Sequence, residues 1–218
     1  MIHYFKGARM AYRETEKMRQ RKAQARQRII DSAWACVASG GFRNARITRI
    51  AGLAGVATGT IYRHFESRED LFAEIFRTAT QREVDKVAEA LHGPADAAAR
   101  LEAALRRFAE RALRAPTMAW ALIAEPVDPQ LEEERLLYRR AYAELFETAI
   151  REGIEDGSFP DQDARLSSTC LVGAIAESLV GPLSPTLSGQ ATLANIDKKR
   201  LVDTLLAFCL QGLTGTRR

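Results

Sequence analysis

Apolar residues recur along this chain mostly at intervals of three and four, the repeat of a helix with one buried face. No stretch alternates as a half-buried strand does, and no internal repeat is visible. The pattern predicts nine helices. The first runs from about Arg21 to Ser39, with Ile29, Ile30, Ala33, Trp34, Val37 and Ala38 as its stripe. Gly40-Gly41 closes it, supplying the positive φ that a helix C-cap prefers. Two short helices follow, Ile47 to Leu53 and Thr58 to Phe65, and Ser67 caps a fourth that continues to about Leu91. Ser67 is followed by Glu69 and Asp70, acidic residues that suit the positive end of a helix. His92-Gly93-Pro94 breaks the chain before a fifth helix, Ala95 to Arg114. Pro116 separates this from a short sixth, Thr117 to Glu125. Asp128 as N-cap and Pro129 at the first helical position open a long seventh, ending near Glu152. The eighth spans about Asp161 to Val180, a loop covers 181–195, and the ninth spans Ile196 to Gln211.

The stretch Ile47 to Phe65 organises the rest. Ile47, Ile50, Ala51 and Ala54 share one helical face, Gly55 marks a reversal, and Leu53 and Val56 are expected to pack inward. Ile61 and Phe65 give the second helix a buried face, while Thr58, Gly59, Thr60, Arg63 and His64 occupy the other. Small, polar and basic residues suit approach to a groove, so a helix-turn-helix is one reading. Two ordinary core helices around a glycine turn fit the same periodicity.

Charge separates the two readings. Residues 1–72 hold 14 Lys and Arg against 6 Asp and Glu, a balance of +8, whereas residues 73–218 carry −4. One basic end on a mildly acidic body suggests that only that end meets a polyanion. A domain plan follows: a basic arm over 1–21, a helix-turn-helix domain over 22–72 and a helical domain over 73–218. At 46% hydrophobic and 28% charged the chain has globular composition. It lacks a run of about 18 uncharged apolar residues and an apolar signal core, so no membrane span and a cytoplasmic location are expected. Cys36, Cys170 and Cys209 are scattered, without metal-ligand or disulfide spacing, and read as apolar fillers. With three histidines in the chain and no Cys/His cluster, no metal site is expected.

The segments Gly41-Phe42, Ile50-Ala51, Ala54-Gly55-Val56, Gly59 through Phe65 and Ser67-Arg68-Glu69-Asp70-Leu71 together resemble the DNA-binding domain of the TetR (tetracycline-repressor-like) family. The match covers roughly residues 22–76. Beyond it, only the all-helical plan is similar. The resemblance implies an all-α homodimer: an N-terminal helix-turn-helix domain followed by a helical ligand-binding and dimerisation domain. It implies a transcriptional regulator, usually a repressor, released from double-stranded operator DNA by a small ligand that the sequence does not identify.

By motif position, Thr58, Gly59 and Thr60 would face the major groove, with Tyr62, Arg63 and His64 on the same reading head and Tyr62 and His64 nearer phosphates. Arg46, Thr48 and Arg49 would sit at the start of the preceding helix, and Arg68 takes the slot of a phosphate-binding lysine. Ala45-Arg46 and Ala57 depart from the family pattern, because each stands where a hydroxyl would cap a helix; a lost cap costs about 0.5–2 kcal/mol. In the second domain, Phe108, Met118, Trp120, Leu122, Tyr138, Tyr142, Phe146, Cys170 and Glu177 are candidates to line a ligand pocket. Core packing is the alternative for each of the aromatics. Glu125, Arg139 and Glu177 are charged among apolar neighbours, as pocket anchors or surface residues. The helices at about 161–180 and 196–211 are the expected dimer face.

No catalytic residues are assigned, because no nucleophile–base pair, paired carboxylates or phosphate loop stands out. An enzyme and a non-specific architectural DNA-binding protein remain as rival classes.

Overall fold

A computed structural model describes residues 15–185 and 196–215. Most of the basic arm, and most of the loop expected over 181–195, lie outside the described residues. Among the described residues the regular structure is helical. The elements are α1 (Glu16–Asn44), α2 (Ile47–Ala54), α3 (Thr58–Ile61), α4 (Arg68–Leu91), α5 (Ala97–Arg114), α6 (Pro116–Ile123), α7 (Pro129–Glu155), α8 (Ala164–Leu183) and α9 (Lys198–Thr214).

Local chemistry sets the helix ends. The side chains of Thr15, Ser67, Asp96, Asp128, Asp163 and Asp197 each accept an amide in the first turn that follows. The Thr15 cap explains why α1 starts five residues before the sequence expectation. Arg46 and Ala57, at the starts of α2 and α3, supply no side-chain cap, as their sequence suggested. Gly40-Gly41 bends α1 without ending it. Gly41 adopts φ 74° and ψ 176°, and one further turn follows to Asn44.

Two apolar cores result. The first gathers Ile29, Ala33, Val37 and Phe42 of α1 with Ile50, Ile61, Phe65, Leu71, Phe72, Ile75 and Phe76. The second is built by Leu101, Leu105, Phe146, Ile150, Ile175, Leu179, Leu205 and Leu206. Three helices take part in both. α4 places Phe72 and Phe76 in the first and Val84 and Val87 in the second; α6 divides Ala121 from Ala119, and α7 divides Leu131 from Phe146. The reading head is therefore packed against the body by α6 and α7 as well as by the covalent link through α4.

α8 has the length and apolarity of a membrane span, which the sequence reading did not anticipate. Its apolarity serves packing instead: Leu171, Ile175 and Leu179 are buried in the second core. Several large apolar side chains face solvent. Leu53 is 58% exposed instead of packed inward, and Leu137 and Phe208 are also exposed. Cys36 and Cys209 are buried fillers, but Cys170 is exposed on α8.

Candidate DNA-reading surface and ligand cavity

The turn between α2 and α3 is fixed by its backbone. Gly55 takes the left-handed conformation, φ 65° and ψ 39°, and its amide donates to Gly52 while the Val56 amide donates to Ala51. These crossed bonds satisfy the last carbonyls of α2. α3 has a single regular turn and stops at Ile61, four residues short of the expected Phe65. Tighter bonds carry the chain on, from Arg63 to the Thr60 carbonyl and from His64 to that of Ile61.

Ile61 and Phe65 are buried, which turns Thr58, Gly59, Tyr62 and Arg63 to solvent, with Thr60 and His64 half-buried beside them. A Cβ placed on Gly59 meets no atom within 4 Å, so nothing inside the protein requires glycine there. Arg46, Thr48 and Arg49 are exposed at the start of α2. The N-terminal half of α1 lies alongside: Lys22 and Arg26 act on His64, whose pKa is lowered first by desolvation and then by these two charges. Arg26 itself is committed inward, lying over the Phe65 ring at 5.0 Å and pairing with Glu74.

A cavity of about 100 Å³ sits between α4, α5, α6, α7 and α8. Its wall is largely apolar and aromatic, including Phe76, Phe108, Met118, Leu122, Phe146 and Ile175. Phe108 meets Tyr142 edge-on, with ring centroids 5.2 Å apart. Most polar groups in the wall are already occupied. Thr80 donates to the Phe76 carbonyl at 2.8 Å and Tyr138 to the Arg77 carbonyl at 3.0 Å. Arg111 pairs with both carboxylate oxygens of Glu83. Arg139 is exposed and Tyr142 is 7% exposed, and neither forms a hydrogen bond with the described residues. Burial pushes the Tyr142 phenol well above the ordinary value of 10.0, and the neighbouring Glu83 carboxylate adds to this.

Family models match this chain twice. Bacterial regulatory proteins of the tetR family match over residues 29–75, and the tetracyclin repressor-like C-terminal domain matches over residues 94–179. The HTH-type transcriptional repressor KstR2 of Rhodococcus jostii (strain RHA1) is 30% identical over 151 residues, 67% of this chain and 74% of that protein. The chain belongs to the tetR family of bacterial regulatory proteins. It is a DNA-binding transcriptional regulator and not an enzyme, with a ligand-binding domain behind its reading head.

Other likenesses agree. The fatty acid metabolism regulator protein of Bacillus subtilis (strain 168) is 26% identical over 165 residues, 74% of this chain and 84% of the relative. Among solved structures, FadR from Bacillus subtilis in complex with stearoyl-CoA superposes with a TM-score of 0.71 at 21% identity, over 86% of this chain and 99% of that one. FadR from Bacillus halodurans gives 0.69 at 24% identity, covering 88% and 100%. These two structures speak for a shared fold.

Six of the nine pocket candidates of this TetR-family regulator line the cavity: Phe108, Met118, Leu122, Tyr138, Tyr142 and Phe146. Trp120, Cys170 and Glu177 do not. Trp120 packs half-buried against the second core, and the other two are exposed on α8. Of the three charges singled out, Arg139 reaches the cavity wall. Glu125 is buried but faces the reading head, where its carboxylate accepts the amides of Phe42 and Arg43. Sequence reasoning passed over Arg135. It is 7% exposed, lines the cavity and holds three α6-end carbonyls. Its four-residue spacing from Leu131 and from Arg139 marked the inner face of α7, but its charge argued for the surface.

Proposed function

We propose that this regulator is a homodimeric repressor that leaves a palindromic operator when a long-chain acyl thioester occupies the cavity. The observation that carries the reading is the wall itself, aromatic and apolar around a tyrosine, Tyr142, whose hydroxyl has no hydrogen-bond partner among the described residues. An acyl chain satisfies the apolar wall, and a carbonyl oxygen accepts from the phenol. The relative that regulates fatty acid metabolism supports the same chemistry. Arg139, exposed at the wall, offers a cation for an anionic carrier group.

The cavity is small for such a ligand. At about 100 Å³ it falls below the roughly 300–1,000 Å³ of typical ligand pockets. Loading it must spread the surrounding helices, and α6 and α7 also hold the reading head. Release then follows from differential affinity: the ligand favours the spread form and the operator favours the closed one. Leu166 of α8 and Phe208 of α9 are 61% and 67% exposed, and they support a dimer face formed by these helices. The bases would be read by Thr58, Gly59 and Thr60, with Arg46, Thr48, Arg49, Tyr62, Arg63, His64 and Arg68 around them. The setting is the cytoplasm, where the operator is.

The test is a titration of acyl-CoAs of increasing chain length into the protein bound to a DNA site selected in vitro. Release that strengthens with chain length supports the reading. Selection without a palindromic consensus, or release independent of the acyl chain, overturns it.

A further inference from the structure

The positive φ of Gly41 breaks α1 and leaves the next two amides without helical acceptors. The Glu125 carboxylate takes both. Oε2 accepts from the Phe42 amide at 2.8 Å and Oε1 from the Arg43 amide at 3.0 Å. Glu125 is 5% exposed, and the fit is close: a Cβ on Gly41 would lie 2.7 Å from each carboxylate oxygen. The residue stands just past α6, and its own backbone is clamped. Arg135 donates from Nη2 to the carbonyls of Glu125 at 2.7 Å and Ala121 at 3.3 Å, and from Nε to that of Leu122 at 3.0 Å. Arg135 and Leu122 both line the cavity. An unbroken chain of contacts therefore runs from the cavity wall through the end of α6 to the turn that leads into α2.

We propose that Glu125 is a positioning residue that transmits cavity occupancy to the reading head: ligand displaces the end of α6, the carboxylate leaves the Phe42 and Arg43 amides, and α2 and α3 lose their orientation for the operator. This rests on the reading of the cavity as the effector site. α4 would carry motion as well, through the Arg68 side chain on the Phe42 carbonyl. Glu125 differs in holding the Phe42 and Arg43 amides while its own backbone is held by a cavity-wall residue, Arg135.

The test compares wild type with Glu125→Gln, which puts an amide nitrogen against a backbone N–H. DNA affinity is measured with and without saturating stearoyl-CoA, and stearoyl-CoA affinity is measured separately. The expected result is a release factor at least tenfold smaller in the variant, with stearoyl-CoA affinity unchanged within threefold. A variant that binds DNA more weakly but keeps the wild-type release factor overturns the proposal, because a merely structural contact lowers both measurements alike. Glu125→Asp, which withdraws the carboxylate by one methylene, replaces the glutamine variant if that fails to fold.

A second arm needs no ligand. Ala176→Leu, or Ala112→Leu if the first is unstable, fills the cavity from its wall. Hydrogen exchange at the Phe42 and Arg43 amides is expected to speed up in the filled protein. Unchanged protection there overturns the proposal. Should wild type ignore stearoyl-CoA while filling the cavity exposes those amides, the ligand assignment fails and the role of Glu125 stands.

Discussion

Arg68 donates from Nη2 to the carbonyl oxygen of Phe42 at 3.2 Å, across 26 residues of sequence. Its guanidinium also lies over the Phe72 ring at 4.5 Å. The Phe42 peptide is thus held at both ends, by Arg68 at its oxygen and by Glu125 at its nitrogen. Arg68→Ala is expected to cost about 1–2 kcal/mol of stability, one charge-assisted hydrogen bond and one cation–π contact at a half-exposed site. Operator affinity falls with it because the turn loosens. The salt dependence of binding decides how: an unchanged slope marks a positioning role, and a slope lower by about 0.9 marks a lost phosphate contact. The Phe42 bond favours the first outcome.

His64 is expected to make DNA binding sensitive to pH. Its pKa lies below the ordinary 6.5 in the free protein, through desolvation first and then Lys22 and Arg26. A depressed folded value means that the unfolded chain takes up the proton first. Stability from this group is therefore full above 6.5 and is lost as pH falls toward the folded value. A nearby phosphate reverses the bias, because it favours the charged imidazole. The complex then binds more protons than the free protein, and affinity gains as pH falls. Between about pH 7.5 and about pH 6, wild type is expected to gain operator affinity relative to His64→Gln. Equal pH profiles for the two proteins would place His64 away from phosphate.

The reading head was legible because its constraints are local. Gly55 announces a left-handed turn, Ser67 announces a cap, and the spacing of Ile61 to Phe65 fixes which face turns out; each needs only neighbouring residues. The length of α3 was not legible, since the apolar spacing continues to Phe65 while the hydrogen bonds tighten after Ile61. The cavity was half legible. The family resemblance singled out Phe108, Tyr142 and Phe146, while aromatic spacing alone does not separate a wall from a core. Glu125 and Arg135 were the least legible. Their burial depends on partners 83 and 10 residues away, and a charged side chain near a helix end ordinarily belongs to the surface.

Tyr142→Phe is expected to separate ligand binding from folding. Its side chain is buried, and its hydroxyl bonds to nothing among the described residues, so removal of the hydroxyl is neutral or slightly stabilising. A carbonyl that accepts from it loses about 1–1.5 kcal/mol, roughly a tenfold weaker affinity. Calorimetric titration with an acyl-CoA and a thermal melt check both halves. Unchanged affinity would mean that the hydroxyl meets water and not the ligand.

Gly55 and Gly59, four residues apart, are glycines for different reasons. Gly55 needs its positive φ of 65°, although a Cβ there meets nothing within 4 Å. Gly55→Ala is therefore expected to destabilise the fold by about 1 kcal/mol or more through backbone strain alone. Gly59 has no positive φ and equally open surroundings, inside α3. Gly59→Ala is expected to stabilise the free protein by up to about 1 kcal/mol, since alanine favours a helix over glycine. Its methyl group nevertheless projects from the reading face, where Thr58 and Tyr62 are exposed. Operator affinity should then fall while the melting temperature rises. A variant that melts higher and binds DNA as tightly as wild type would show that the bases do not approach α3 at Gly59.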